Sequence, residues 1–267
     1  MAHGGSLART HDDAPGLPRG RSRLPADTVL AAQRDRLIRA MTAAVAAVGY
    51  PDVTVADVVR RARVSRTAFY AHFADKEDCF LATTAHGSAL LFGSTLGAVA
   101  ALPASEDDEL MLRVGLRAFL RFLAAEPAFA RLFYIDLPGA GGRAQARLQA
   151  AYGRWGEINQ AWHQRARERH PDWPVVPREA YLALAGATGE LVRERVRAGR
   201  TDELPALEDT LAGIHLAVLA GQPIAATAGQ ERGRLSWPKN GATTATNAIS
   251  NTMTSDVMAL TSPSRTR

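Results

Sequence analysis

The chain is poor in cysteine, in lysine and in long apolar segments. Cys79 is the only cysteine among 267 residues, so no intrachain disulfide can form, and metal sites built on several cysteines are excluded. A membrane span needs about 18 consecutive apolar residues without charge, and no such run is present. The alanine-rich stretch 81–102 comes closest, but polar residues interrupt it, so it predicts an amphipathic helix. We therefore expect no membrane partner.

Other absences narrow the class of protein further. Residues 1–25 contain no apolar segment of the signal-peptide type, so we expect the protein to be cytoplasmic. His163, His170 and His215 have neither an H-x-x-x-H spacing nor an acidic partner at ligand spacing, and we expect no metal site. No G-x-S-x-G, P-loop or dinucleotide-binding pattern is present, so the sequence predicts no catalytic residue and no cofactor. Strand-like alternation is absent over any useful length, which favours an all-α fold.

Residues 54–78, TVADVVRRARVSRTAFYAHFADKED, carry the strongest positive signal in the chain. Thr54 with Asp57 forms an S/T-x-x-D capping box, and apolar residues follow at the i, i+3, i+4, i+7 spacing of one helical face. Only Arg63 and Val64 separate this helix from Ser65, which can cap the next helix. The second helix buries two phenylalanines and turns phosphate and base-edge donors outward. This arrangement predicts a helix-turn-helix.

The run from about residue 30 to residue 83 resembles the DNA-binding domain of the TetR family of bacterial transcriptional regulators, whose pattern is TxxxIxxxAGVSxGTLYxHFxxKExL. The residues that carry the resemblance are Thr54, Val58, Ala62, Val64, Ser65, Thr67, Phe69, Tyr70, His72, Phe73, Lys76 and Glu77. Two positions depart from the pattern: Arg63 replaces the usual glycine of the turn, and Thr67 the usual glycine of the recognition helix. An arginine at positive φ is strained by roughly 1 kcal/mol.

The resemblance implies a set of DNA contacts. A recognition helix in the major groove presents its first turns to base edges, so Arg66, Thr67 and Ala68 are the candidates for direct readout. Helix N-termini, hydroxyls and cations hold phosphates and fix the register. The predicted DNA-binding residues are Thr54, Ser65, Arg66, Thr67, Ala68, Tyr70, His72 and Lys76. Outside such a motif, Tyr70 would be interpreted as a packing ring and His72 as a surface histidine.

Positive charge is concentrated in the same region. Residues 19–76 contain eleven basic and five acidic side chains, an excess of six, whereas the whole chain carries +5. A compact basic module suits a phosphate backbone. A solvated charged face is the alternative, but beside a helix-turn-helix we favour double-stranded DNA as the partner.

Periodicity, caps and breakers predict about nine helices in an all-α fold. We predict a disordered arm at 1–26, a three-helix helix-turn-helix domain at 27–80, a helical ligand-binding and dimerisation domain at 81–224, and a disordered tail at 225–267. The split into a small reader and a larger receptor is also what the resemblance implies. The tail is rich in small polar residues and buries too little to offset the entropy of ordering. Asp75, Ser105 and Pro127 mark predicted helix starts.

Aromatic residues gather on the predicted fifth to seventh helices. The resemblance implies a ligand cavity between these helices, and its candidate lining residues are Phe119, Phe122, Tyr134, Trp155, Trp162 and His163. Two tryptophans a little under two turns apart on one face suggest a bulky effector that is apolar or aromatic. Ordinary core packing is the alternative for any one of these residues.

The predicted eighth and ninth helices have faces of small and aliphatic residues, which allow another helix to approach closely. The resemblance implies a twofold four-helix interface, with Gly186, Gly189, Leu191, Ile214 and Val218 as candidates. Internal packing is the alternative. A twofold dimer places two recognition helices roughly 34 to 36 Å apart, and so matches a palindrome.

These features predict a homodimeric transcriptional regulator, in most cases a repressor, that leaves its palindromic operator when a small apolar or aromatic effector binds. One alternative is a helical dimer that has lost specific DNA readout, for which Arg63 and Thr67 are the hints. The other is an enzyme that uses Cys79, although no general base is adjacent in the sequence.

Overall fold

The computed structural model describes residues 6–9, 25–103 and 107–223. Within these ranges the fold is all helical, as predicted, and contains nine α-helices and no strand. The helices are α1 (Ala26–Val48), α2 (Val55–Ala62), α3 (Arg66–His72), α4 (Lys76–Ala100), α5 (Asp108–Ala125), α6 (Pro127–Arg131), α7 (Gly142–Arg169), α8 (Arg178–Arg197) and α9 (Glu208–Leu219). None of these helices combines the length and apolar character that a membrane span requires.

Local caps explain where several helices begin and end. The Thr54 hydroxyl accepts a hydrogen bond from the Asp57 backbone N–H, and the Asp57 carboxylate accepts one from the Thr54 N–H, which completes the predicted capping box of α2. Asp75 caps α4 in the predicted way, by accepting from the Asp78 N–H at 2.7 Å. Gly49 follows α1 with a φ of 82°, a conformation that favours glycine.

Some predicted features lie outside the described residues, and one helix continues differently from the prediction. Ser105, the expected cap of the fifth helix, is outside the described ranges, and Asp107 caps α5 through the Glu109 N–H at 2.9 Å. The tail 225–267 and residues 10–24 of the arm are also outside them. Pro127 opens α6 as predicted, but the helix continues as a π-helical turn at Leu132–Asp136 and a 3-10 turn at Leu137–Gly139.

Helices α1 to α3 form a small helical reader whose core is apolar. Phe69 of α3 and Leu37 and Met41 of α1 are fully buried, and Val58 of α2 is fully buried as well. α4 closes this core with Phe80 and then extends into the larger helical receptor. The first turns of α4 therefore belong to the reader, and its later turns belong to the receptor.

In the receptor, α5 and α7 run in opposite directions and contact each other through side chains. Arg169 near the end of α7 pairs with Asp108 at the start of α5, whereas Trp155 earlier in α7 packs edge-on against Phe119 later in α5, with ring centroids 5.1 Å apart. α8 packs on α7, and α9 packs on α5. This arrangement leaves space between α4, α5, α7, α8 and α9.

The reader and the receptor meet around α6. The Asp136 carboxylate, at the end of the π-helical turn, accepts a hydrogen bond from the Tyr50 N–H at 2.9 Å, in the loop between α1 and α2. Burial raises the pKa of Asp136, and the Tyr50 hydrogen bond opposes that rise. The loop between α1 and α2 is therefore held directly by the receptor.

A short N-terminal segment crosses the same junction. The buried Glu126 carboxylate accepts hydrogen bonds from the Ser6 and Leu7 N–H groups, each at 2.9 Å, and from the Ser6 hydroxyl. Arg39 of α1 donates to the Ser6 carbonyl at 2.7 Å, and the Leu7 side chain is buried. Residues 6–9 thus differ from the predicted disordered arm, because their partners lie about 120 positions away and leave no local signal.

Candidate nucleic-acid interface and receptor cavity

The turn of the helix-turn-helix keeps its geometry without the usual glycine. Arg63 adopts a left-handed conformation with φ 52° and ψ 42°, and it is the only described non-glycine residue with positive φ. Its N–H bonds the Arg60 and Val59 carbonyls, so the chain leaves α2 through an ordinary helix-terminating turn. The positive φ that strains an arginine is therefore present, and the turn keeps its geometry.

The outward face of α3 is open to solvent. Arg66, Thr67 and Tyr70 are exposed, Ala68 is half-buried, and Phe69 beneath them is fully buried. The Arg66 guanidinium lies 5.9 Å from the Tyr70 ring centroid, which aligns the two side chains. Thr67 is an ordinary exposed residue of the first turn, and its side chain meets no obstacle to helix formation. The structure therefore brings the predicted direct-readout residues to one free surface.

The two hydroxyl candidates are helix caps. Ser65 caps α3 by accepting from the Ala68 N–H at 3.0 Å, and the Thr54 hydroxyl donates to the Asp57 carboxylate at 2.6 Å. The hydrogen bonds from the Thr54 hydroxyl and N–H, and then that from Arg60, lower the pKa of Asp57. Each hydroxyl thus fixes a helix N-terminus, where free backbone N–H groups face outward and can meet a phosphate.

Lys76 and His72 are partly engaged inside the reader. The Lys76 ammonium donates to the Tyr50 and Pro51 carbonyls at 3.1 and 3.2 Å and lies 4.5 Å from the Tyr50 ring centroid. An ammonium has three donors, so one remains for a phosphate. His72 Nε2 lies 3.4 Å from Gln33 Oε1, and burial together with the charge of Arg34 lowers the pKa of the ring. Because its pKa is lowered, the His72 ring is neutral at pH 7.

The receptor encloses one large cavity of about 740 Å³ among the described residues, a size typical of small-molecule sites. Its lining is mostly apolar and includes Leu96, Val99, Met111, Leu112, Leu116, Phe119, Trp155 and Ile158. Its exposed lining residues lie at the C-terminal ends of α4 and α7, whereas Phe119 and Tyr134 are buried. The cavity therefore opens at one end and closes at the other.

Four of the six predicted ligand residues line this cavity, and two do not. Phe119, Tyr134, Trp155 and Trp162 are at the wall, in agreement with the sequence pattern. Phe122 instead packs edge-on against Phe129, with centroids 6.2 Å apart, because its side of α5 faces α6.

His163 also lies outside the cavity wall. Its Nδ1 is 2.9 Å from the Tyr181 hydroxyl, and its ring stacks on Trp173 at 6.1 Å. Burial lowers its pKa, so it is a neutral core residue of the contact between α7 and α8. No group of acidic, histidine or cysteine side chains in the described residues is arranged to hold a metal ion.

Several polar lining residues were not predicted. Tyr152, Asn159 and Arg165 of α7 share the cavity face with the two tryptophans, and Thr188 of α8 and His215 of α9 face the same space. The helical spacing from Tyr152 through Trp155 and Trp162 to Arg165 is the signal that could have identified the α7 residues. The α8 and α9 residues leave no such signal, because Thr188 and His215 are single polar residues among small and aliphatic ones.

The predicted dimer residues fall on different sides of α8 and α9. Gly186 is open, since a Cβ built there meets no atom within 4 Å, and Val218 is 39% exposed. Gly189, in contrast, faces α7: a Cβ there would lie 2.6 Å from the Tyr152 hydroxyl oxygen. Leu191 and Ile214 are half-buried against the interior. The exposed face is therefore made by Gly186, Val218 and the half-exposed Leu182.

Cys79 does not have the surroundings of a catalytic nucleophile. The thiol is buried in the reader, and burial raises its pKa to about 12. The thiolate population at neutral pH is therefore very small, which argues against the alternative of an enzyme that uses Cys79.

A family model identifies the N-terminal part of the chain. Residues 37–83 match the model described as bacterial regulatory proteins, tetR family. These residues span α2 and α3 and the adjoining parts of α1 and α4, and so include the complete helix-turn-helix. The chain thus carries the helix-turn-helix of the TetR family of bacterial regulators, and the resemblance found in the sequence is confirmed. No curated protein matches the sequence at a significant level.

Solved structures extend the fold match to the receptor. The fatty acid degradation regulator FadR from Bacillus halodurans superposes with a TM-score of 0.63 at 18% identity, covering 72% of this chain and 97% of that chain. FadR from Bacillus subtilis in complex with stearoyl-CoA gives a TM-score of 0.60 at 14% identity, covering 70% of this chain and 98% of that one. A TetR-like regulator from Rhodococcus sp. RHA1 gives 0.55 at 20% identity, covering 75% and 100%. At these identities the likeness establishes the fold.

Proposed function

We propose that the protein is a homodimeric, ligand-responsive transcriptional repressor that binds a palindromic operator in the cytoplasm. One observation carries this proposal: a solvent-facing recognition helix and an apolar cavity of about 740 Å³ occur in one chain, joined by α4 and α6. A protein that only bound DNA would have no use for a cavity of this size, and a receptor alone would have no use for α3.

In the reader, we assign direct base contacts to Arg66, Thr67 and Ala68 and phosphate contacts to Tyr70, Lys76 and the N-termini of α2 and α3. Arg66 has the fork of donors that suits guanine O6 and N7. The open face of α3 supports this assignment, because no described side chain covers it. An arginine-rich reader also supplies the sequence-independent attraction that phosphates exert on any basic surface.

For assembly, we assign the twofold contact to the outer faces of α8 and α9. Leu182 is 52% exposed and Val218 is 39% exposed, and Gly186 between them leaves room for a second backbone. Exposed aliphatic side chains around an open glycine favour a close helix partner over solvent. A twofold copy seated there would present two α3 helices to two half-sites of one operator.

For the effector, we assign an apolar or aromatic molecule that enters the receptor cavity and binds the DNA-incompetent arrangement more tightly. The similar FadR structure from B. subtilis holds stearoyl-CoA, which supports a long acyl compound as a candidate here. Two direct contacts offer a route to the reader: Phe129 of α6 lies against Gly87 of α4, and Asp136 holds the Tyr50 N–H.

The test combines DNA binding with ligand binding on one preparation. Stearoyl-CoA should quench tryptophan fluorescence and release DNA over the same concentration range, and DNA should weaken stearoyl-CoA binding by the same factor. Trp155→Leu should weaken both effects while DNA binding by the free protein persists, since the reader lies on separate helices. Release that persists unchanged in the folded Trp155→Leu variant would place the effector site elsewhere. Equal binding to genomic operator fragments and to random DNA would favour the alternative that the protein is a helical dimer without specific DNA readout.

A further inference from the structure

The receptor cavity is elongated, and its two ends differ in chemistry. Tyr152 and Arg165 both line it and lie 13 positions apart on α7, which corresponds to about 20 Å along the helix axis. Trp155, Ile158 and Trp162 occupy the wall between them. A ligand that fills the cavity therefore extends along α7 from one end to the other.

The open end carries a cation with no carboxylate partner among the described residues. Arg169 pairs with the buried Asp108 carboxylate through Nε and Nη2, and His170 Nε2 lies 3.3 Å from the same carboxylate. Asp108 is thus already compensated. Arg165, one turn earlier, has only the Met111 sulfur at 3.4 Å, a weak acceptor. Arg165 is therefore the side chain available to bind an anionic group at the mouth.

The closed end carries three hydroxyls without hydrogen bonds. Tyr134 is buried, and neither its hydroxyl nor that of Tyr152 makes a hydrogen bond within the described part of the chain. The Thr188 hydroxyl is buried at the same wall and lacks a partner as well. Gly189 makes this cluster possible, because any Cβ there would collide with the Tyr152 ring.

These unpaired hydroxyls make the binding free energy less favourable if only a plain alkyl tail fills the cavity. A buried hydroxyl with no partner loses its hydration without compensation, which disfavours the complex. A group that donates or accepts hydrogen bonds at the far end of the ligand would satisfy them. Arg193, whose charge acts on Tyr134, is paired with Glu190 at 3.1 Å and does not line the cavity, so the closed end favours a neutral group over an ion.

We propose that the effector is a long amphiphile bound in one direction, with its anionic head at Arg165, its apolar chain along the tryptophans of α7, and a neutral hydroxyl or carbonyl group near its far end against Tyr134, Tyr152 and Thr188. This inference rests on the proposed function and adds to it the polarity and the far-end chemistry of the ligand. A simple saturated acyl compound fills the chain part of the site and leaves the hydroxyl cluster unsatisfied.

Calorimetric titration of the full-length protein tests the inference with four probes: stearate, ω-hydroxystearate, stearyl alcohol and stearoyl-CoA. We expect ω-hydroxystearate to bind more tightly than stearate by about tenfold or more, because sites built to hydrogen-bond a hydroxyl reject analogues that lack it. Stearyl alcohol, which lacks the anion, should bind more weakly than stearate. Comparison of stearate with stearoyl-CoA shows whether a carboxylate or a phosphate-bearing head suits Arg165.

Variants at the two ends of the cavity test the head-group contact and the far-end contact separately. The changes Tyr152→Phe and Thr188→Val should remove the preference for ω-hydroxystearate and should tighten the binding of stearate, since each deletes a hydroxyl that stearate leaves unpaired and keeps the shape. Arg165→Met should remove the preference for stearate over stearyl alcohol. Arg121→Met is the matched control, because Arg121 is exposed on α5 outside the cavity.

The outcomes separate this inference from the proposed function. Equal affinities for stearate and ω-hydroxystearate in the wild-type protein would overturn the far-end assignment while leaving a ligand-responsive regulator in place. An unchanged head preference in Arg165→Met would overturn the binding direction. Failure of all four probes to bind the folded protein would overturn the assignment of an amphiphilic effector. It would also remove the support that the cavity gives to the proposed function.

Discussion

At the scale of single residues, Gly87 marks the closest approach between the connecting helix and α6. A Cβ placed there would lie 2.2 Å from the Phe129 ring, well inside contact distance. Phe129 is itself buried and packs against Phe133 at 5.8 Å, so it has little room to move away. One hydrogen in place of a methyl group therefore sets the distance between α4 and α6.

The change Gly87→Ala should lower the free energy of unfolding by about 1 to 3 kcal/mol, the usual range for overpacking a core. Urea denaturation measures the loss, and Gly93→Ala on the open side of the same helix is the control. The double change Gly87→Ala with Phe129→Leu should recover part of the loss. A single variant as stable as the wild type would contradict the contact.

Arg66 and Lys76 should separate sequence readout from general affinity. Arg66→Ala is expected to cost roughly 1 to 3 kcal/mol on the operator and to relax preference at one base position. Lys76→Ala should weaken binding to all DNA alike and reduce the salt slope by about 1. Mobility shifts at several salt concentrations measure both effects. Equal losses on operator and random DNA for both variants would refute the division of roles.

Cys79 provides a residue-scale test of burial through pH. Its pKa is raised to about 12 in the folded protein, against about 8.5 for a thiol in an unfolded chain. The folded state holds the proton more tightly, so the contribution of this group is complete below pH 8.5 and is lost as the pH rises towards 12. We expect thiol reagents to label Cys79 at pH 8 only after unfolding. Rapid labelling of the native protein would show an accessible thiolate.

At the scale of elements, the N-terminal segment around Ser6 acts as a clasp between α1 and the start of α6. Three groups of the segment donate hydrogen bonds to the Glu126 carboxylate, and the Ser6 carbonyl accepts one from Arg39. The segment therefore stabilises the contact between reader and receptor, although in the sequence it precedes both of them. The family model, which covers residues 37–83, does not include it.

Replacement of Glu126 by alanine should destabilise the protein by about 1 to 3 kcal/mol, since it leaves the Ser6 and Leu7 N–H groups without acceptors. Ser6→Ala, which removes only one of the three donors, should cost less. Thermal unfolding ranks the two variants, and limited proteolysis should cut residues 6–9 faster in Glu126→Ala. Equal protection of that segment in both variants and the wild type would argue against the clasp.

Element boundaries were largely predictable from the sequence because they depend on local chemistry. Helices begin after the capping side chains of Thr54 and Asp75 and at Pro127, whose ring fixes a helical φ. Gly49 ends α1. The π-helical turn at Leu132–Asp136 was not predictable, because its sequence reads as ordinary helix. Packing against α1 and α8 and the hydrogen bond from the Tyr50 N–H accompany it in the fold.

At the scale of the whole molecule, the proposed twofold assembly leads to a prediction about the exposed face of α8 and α9. Gly186→Leu should convert the dimer towards monomer and weaken operator binding, because the added side chain occupies the space that a second helix needs. Light scattering reports the mass. Gly93→Leu on α4, an equally open position away from α8 and α9, is the matched control. A full dimer with unchanged DNA affinity in Gly186→Leu would exclude this face.

The sequence by itself determined the helix-turn-helix, because capping boxes, turn length and the outward face of α3 are properties of residues a few positions apart. It also predicted four residues that lie at the cavity wall, Phe119, Tyr134, Trp155 and Trp162, and their role in ligand binding stays a prediction. Only the tertiary structure decided that Phe122 and His163 are packed elsewhere, and that Gly189 faces Tyr152 rather than a partner. The physical reason is that α5, α7 and α8, which carry these residues, bear apolar or small residues on more than one side. Which side faces a cavity, a core or solvent is set by neighbouring helices distant in sequence.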